Sequence, residues 1–466
     1  MLLIYLSGFL CLLLVLVVRL ISFIYRMWWR PIRIQSQMRS QGIKGPSYKF
    51  IRGNNKEIMD MREQVMMSIV TEPGLIKDIL NNKEKSYPKR EAKFYEKKLL
   101  GEGLLTVHVA SHTFHAESLK RKIPAMITTV EGMLERWRSH EGKDIEVVHE
   151  FMVLTSEMIS RTAFGSNYLE GKNTIDMIQK MGSICSQNEF KVRIPGLSDD
   201  IESDKLKKDI RDLIIKMIKK REENVKTGEV ESYGNDYLGG LMKAYHNTDE
   251  TQKISLQDLI DECKTFYFSG YESTTSLLCW ATLLLATHLD WQDKARNEVI
   301  DLFGQQSPSP DNISKLKIMS MIINESLTLY ALVYSIVRET KKEVRIGKAK
   351  LPANMQFYIP IHALHHDPQL WGEDTHLFKP ERFAEGVAKA TNNNIASFLA
   401  FSLGPRSCVG YNFATTEVKV TLSMILQRYR ITLSPAYAHA SVQLLKKINS
   451  PSKFTSNTSF RSKWFY

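Results

Sequence analysis

Residues 401–410 read Phe401-Ser-Leu-Gly404-Pro-Arg406-Ser-Cys408-Val-Gly410. Two glycines around one cysteine allow a tight loop whose backbone N–H groups point at the sulfur, and Arg406 supplies a fixed cation. Just downstream, Val418, Leu422, Ile425, Leu426 and Tyr429 recur at the spacing of an amphipathic helix. The cysteine therefore stands before a helix start, where free donors and the dipole favour a thiolate. A lone cysteine is more often a small buried hydrophobe, and that is the reading for Cys185, Cys263 and Cys279. The five cysteines are odd in number, scattered and free of any C-x-x-C pair, which argues against a disulfide framework and a structural zinc site.

Working back from that loop, helical patterns dominate from about Glu57 to Leu302, with Gly/Asn-rich breaks near 165–171 and 227–235. The longest runs from Ser255 to Leu289 and opens with a capping box, Ser255-Leu-Gln-Asp258. At about 1.5 Å per residue it spans roughly 50 Å, which suits the axis of a large domain. Midway along it lies Ser269-Gly270-Tyr271-Glu272-Ser273-Thr274, an acid followed by two hydroxyls beside a glycine. Such a set can relay protons; its plainer reading is a helix crossing relieved by Gly270. The Pro-rich stretch from Val344 to Phe401 holds short strands such as Met355–Ile361. The expected fold is mainly α with a minor β part, one large helical domain over 57–445 with small sheets.

The net charge is +12, but no Asp or Glu occurs before Glu57 or after Glu417. Between those ends, 46 basic residues face 51 acidic ones, and no groove-reading motif is legible, so a nucleic-acid partner is not expected. The first basic block follows an uncharged run, residues 1–18, which would span about 27 Å as a helix and match a thin endoplasmic-reticulum bilayer. Arg19 can snorkel, and Trp28 and Trp29 sit where an interfacial belt belongs. With no basic n-region and no small-x-small site, this reads as an uncleaved single-pass anchor over 1–25, followed by a basic linker over 26–56. The bulk of the chain is expected in the cytosol, on the endoplasmic-reticulum membrane.

The ten-residue pattern is the Phe-x-x-Gly-x-Arg-x-Cys-x-Gly signature of the haem-thiolate monooxygenases, and the chain resembles the cytochrome P-450 superfamily along nearly its whole length. The stretches Trp28-Trp-Arg-Pro31, Ser86-Tyr-Pro-Lys-Arg90, His115-Ala-Glu-Ser-Leu119, Thr162-Ala-Phe-Gly165 and Phe266-Tyr-Phe-Ser-Gly270 are similar to those of the plant 72 clan. The resemblance implies haem b with Cys408 as axial thiolate. It implies propionate contacts from Arg406 and Arg338, shielding of the sulfur by Phe401, and a cofactor loop framed by Gly404 and Gly410. Glu272, Ser273 and Thr274 match the family's oxygen-activation motif, with Ser273 where Thr is usual. The implied reaction inserts one oxygen atom from O₂ into an apolar small molecule, of terpenoid, steroid-like or fatty-acid class. Electrons would come from an NADPH-dependent flavoprotein reductase.

Three departures qualify that implication. Glu325 and Arg382 match two members of the family's buried ion triad, but the third, normally Arg, is Thr328. Removing one member of such a network typically costs about 3–5 kcal/mol. A Trp-x-x-x-Arg helix that grips the haem in the clan is replaced by Val107-His-Val-Ala110, and residues 446–466 form a divergent Ser/Thr/Lys-rich tail where a substrate-contacting hairpin belongs. The alternative reading is thus a catalytically impaired or inactive remnant. A haem-thiolate isomerase or dehydratase is disfavoured by the retained Glu272 and Ser273.

Overall fold

The computed structural model of the 466-residue chain describes residues 17–19, 21, 70–81, 86–89, 92, 94–101, 116–140, 143–165, 168–188, 196, 198–250, 253–346, 349–351, 353, 355–435, 437, 459–461 and 463–464. The anchor and linker readings fall almost wholly outside these residues, as do Val107–Ala110 and most of the tail. Among the described residues no helix is long and apolar enough to cross a membrane.

Those residues divide into two compact units. The first comprises Met1–Arg90, Val333–His376 and Thr391–Ser407. It contains helix α1 (Pro73–Asn81), an antiparallel pair β2 (Ser335–Glu339) and β5 (Gln356–Pro360), the hairpin β3 (Val344–Ile346) and β4 (Ala349–Leu351), and a 3-10 turn Gly404–Arg406. In β2 the register pairs Arg338 with Phe357, and Glu339 N–H donates to Pro88 O at 3.0 Å. Alternation along β2 buries Ile336 and Arg338 on one face.

The second unit comprises Glu91–Leu332, Leu377–Ala390 and Cys408–Tyr466 and holds the long helices. In chain order these include α2 (Phe94–Leu100), α4 (Ile123–Arg138), α5 (Val147–Phe164), α6 (Tyr168–Gln187), α7 (Ser198–Lys226), α9 (Leu256–Thr287), α10 (Leu289–Phe303), α11 (Lys317–Leu329) and α15 (Tyr411–Arg428); short helices supply the remaining numbers. The capping box of α9 forms as expected: Ser255 Oγ accepts from Asp258 N–H at 3.1 Å while Asp258 Oδ2 accepts from Ser255 N–H at 3.0 Å. The helix stops at Thr287, short of Leu289, because His288 leaves helical geometry at φ −122° and ψ 78°, and α10 begins anew.

Helix α5 crosses α9, with Phe164 stacked on Tyr267 at 3.9 Å and the hydroxyls of Thr155 and Thr275 at 2.7 Å. Two sequence expectations change here. The break near 165–171 is shorter, since α6 resumes at Tyr168. The last helix is buried on nearly all sides rather than amphipathic, because α4, α9, α10 and α11 all pack against it. Tyr429 falls beyond its end, in β6 (Tyr429–Arg430).

The divergent tail is used by the fold. Ser459–Arg461 (β7) pairs antiparallel with Asp144–Glu146 (β1), and Lys463–Trp464 (β8) pairs with β6.

Candidate functional site

The cysteine loop begins in the first unit with a backbone that needs glycine. Gly404 has φ +78°, and a Cβ there would lie 2.6 Å from Leu80 O in α1, so no side chain fits. Ser402 also has positive φ, at 62°. The turn closes through Ser407 N–H donating to Gly404 O at 3.0 Å. Phe401 is half-buried. Arg338 is 5% exposed, and burial, then the neighbouring charge of Arg406, lowers the affinity of its guanidinium for its proton. The Arg338 guanidinium donates to its own neighbour, Val337 O, at 3.1 Å. Two neighbouring cations suit an anionic ligand.

Cys408 opens the last part of the second unit, three residues ahead of α15. It is exposed, whereas Cys263 is buried and Cys185 and Cys279 are half-buried. Burial pushes the thiols of Cys185 and Cys279 up to about 12 and that of Cys263 higher, which keeps all three protonated. Gly410 lies behind the sulfur, with space for a Cβ at 3.8 Å from Sγ. The exposed sulfur at a helix start fits a metal-binding thiolate.

Within α9, burial raises the Glu272 carboxyl above the usual carboxylate range. Ser273 Oγ donates to Ser269 O at 2.7 Å and Thr274 Oγ1 to Gly270 O at 3.1 Å. Both hydroxyl protons are thus held by the preceding turn, while their lone pairs can accept. Gly270 serves the helix crossing, since a Cβ there would meet Ile159 Cδ1 of α5 at 2.7 Å.

Sequence reasoning missed Glu417. Its side chain is fully buried in α15, neither carboxyl oxygen has a hydrogen-bond partner of good geometry, and burial raises its proton affinity strongly, offset in part by the Thr274 hydroxyl beside it. The signal available was an acid inside an otherwise apolar helical stretch. Glu325 and Arg382 do meet, through Oε1 and Nε at 3.4 Å, and Lys379 N–H donates to the same oxygen at 2.9 Å. Thr328 turns its hydroxyl back to Asn324 O at 2.9 Å, and Glu325 Oε2 is left buried without a partner.

A mainly helical fold with small sheets carries an exposed cysteine ahead of a buried helix and an acid–hydroxyl run on its longest helix, the arrangement that the resemblance to haem-thiolate proteins implies. A family model described as Cytochrome P450 matches residues 58–452. The chain is 47% identical to Cytochrome P450 CYP749A22 of Panax ginseng, covering 91% of each, and 35% identical to Cytochrome P450 734A1 of Arabidopsis thaliana, covering 90% of each. It is 32% identical to 7-deoxyloganic acid hydroxylase of Catharanthus roseus over 90% of this chain and 92% of that one. Among solved structures, the haem domain of cytochrome P450DA superposes with a TM-score of 0.72 at 21% identity, over 85% of this chain and 87% of that one. The chain belongs to the cytochrome P450 family. That family's fold implies a haem iron with a cysteine thiolate ligand, a small-molecule substrate, O₂ and a redox partner.

Proposed function

We propose that the chain is a membrane-anchored haem monooxygenase that inserts one oxygen atom from O₂ into an apolar small molecule, with electrons from an NADPH-dependent flavoprotein reductase. The observation that carries this is Cys408, the exposed sulfur among four described cysteines, in the loop whose Gly404 admits no side chain. Cys408 would ligate the iron. Arg338 and Arg406 would hold the propionates, with Phe401 and Gly410 shaping the sulfur's surroundings. When bound, the haem supplies the activation of dioxygen. Glu272, whose proton affinity burial raises, would deliver a proton, and Ser273 or Thr274 would accept it at Oγ or Oγ1 and release the proton now held toward Ser269 O or Gly270 O.

The anchor over 1–25 and the endoplasmic-reticulum location rest on the apolar run and the basic block behind it. A hydroxylase among the relatives supports oxygen insertion into a small molecule as the reaction. The reading of an inactive remnant rests on the three sequence departures, and no relative supports it. The test is the reduced, carbon monoxide-treated difference spectrum of the full chain in membranes. A thiolate-type band is expected, and absence of any haem band would overturn the proposal.

A further inference from the structure

Glu325 is a buried carboxyl whose two oxygens are treated unequally. Oε1 accepts from Lys379 N–H at 2.9 Å and faces Arg382 Nε at 3.4 Å, while Oε2 is buried without a hydrogen-bond partner. The side chain is 1% exposed. Both contacts come from the segment Leu377–Ala390, through its 3-10 turn Pro380–Phe383, which packs on α11. We propose that the Glu325 carboxyl is a proton-operated latch: protonated, it holds the 377–390 segment against α11, and ionised, it lets that segment loosen. The inference does not depend on the haem reading.

The direction follows from what each state does with the charge. An ionised Glu325 places charge on a buried oxygen that no hydrogen bond satisfies, and loosening the turn that packs on α11 would admit solvent to the carboxyl. Burial raises the carboxyl to about 7, against the lowering effect of Lys379 N–H and Arg382, with Glu381 adding to the rise. The other elements packed on α11 offer no relief. Glu298 of α10 is spent on the N–H groups of Ile318 and Met319 at the far end of the helix, and Glu417 of α15 is an acid whose own proton affinity burial raises, not a cation. Among the described residues, α9 supplies no charge that moves Glu325. With the segment lifted, the carboxyl returns to its ordinary value of 4.5 and releases its proton, so opening is favoured as pH rises from 4.5 through about 7.

Hydrogen exchange of the full chain, corrected for intrinsic rates, tests this in the regime where exchange reports the opening equilibrium. Protection of the 377–390 amides should fall about tenfold between about pH 6 and about pH 8, the ratio expected for a group that titrates near 7 closed and near 4.5 open. Protection across α7 should stay level. Glu325→Gln should remove the pH slope. If that variant does not fold, Thr328→Arg gives the second reading: a cation one turn along the same face reaches Oε2, lowers the carboxyl and should shrink the change to below about twofold. A level profile in the unmodified chain, or an unchanged tenfold slope in either variant, overturns the latch.

Discussion

Gly270 and Ile159 touch as backbone to side chain: a Cβ placed on Gly270 would lie 2.7 Å from Ile159 Cδ1 and 2.8 Å from its Cγ1. Ile159 is 2% exposed and cannot swing into solvent, so the contact fixes how closely α5 and α9 approach. Gly270→Ala should destabilise by about 1–3 kcal/mol through overpacking, less the fraction regained from better helix propensity. Combining it with Ile159→Ala should recover part of that loss. A urea double-mutant cycle measures the coupling, and strict additivity would show the two do not compete for the same space.

Cys408→Ala should abolish the thiolate-type carbon monoxide spectrum while leaving the melting temperature of the haem-free protein nearly unchanged, because the exposed side chain contributes little packing. Cys279→Ala should keep that spectrum, since its thiol is held protonated at about 12 by burial. A thiolate band that survives in Cys408→Ala, or vanishes in Cys279→Ala, would move the ligand assignment elsewhere.

The cap at Ser255 and the strand near 356–360 were legible because each is set by local chemistry: a hydroxyl and a carboxylate three residues apart, and a short alternating run. The cysteine loop was legible because its glycines answer to backbone constraints that residue identity alone announces. The near-complete burial of α15 was not, since the spacing of Val418, Leu422, Ile425 and Leu426 predicts an amphipathic helix and leaves Thr421, Ser423 and Glu417 out of the apolar set. Only four helices packing around them bury these polar groups, and that is a property of the tertiary arrangement. Gly270 had two readings that sequence could not separate, because the side chain that needs its space, Ile159, lies on another helix.

The tail gives a third prediction. Its strands pair with β1 and β6, joining Tyr429 to Trp464 and Ile145 to Phe460 in register. Ending the chain after Thr458 would strip two short strands of their partners, and each lost ladder bond contributes about 0.5–1.5 kcal/mol. Stability should fall by on the order of 2–4 kcal/mol, seen as a lower urea midpoint. An unchanged midpoint would mean that these residues do not hold the sheets.

The last prediction separates what Arg338 does for the fold from what it does for a ligand. Its guanidinium is buried beside the like charge of Arg406, and it donates to a neutral carbonyl of its own strand. In the haem-free protein that charge is a burden, since among the described residues no anion offsets its desolvation. Arg338→Leu, similar in apolar reach, should therefore leave the haem-free protein as stable or about 1 kcal/mol more stable. With haem present the sign should reverse, because a charge-assisted hydrogen bond to a propionate contributes about 1.5–3 kcal/mol, or roughly ten- to a hundredfold in affinity. Arg406→Leu should weaken haem binding in the same direction but leave the haem-free melting temperature closer to unchanged, as that side chain is already exposed. Haem titration and thermal melts of both forms supply the comparison. If Arg338→Leu lowers haem-free stability and leaves haem affinity untouched, then Arg338 is a structural cation of the strand and the pair does not form a propionate clasp.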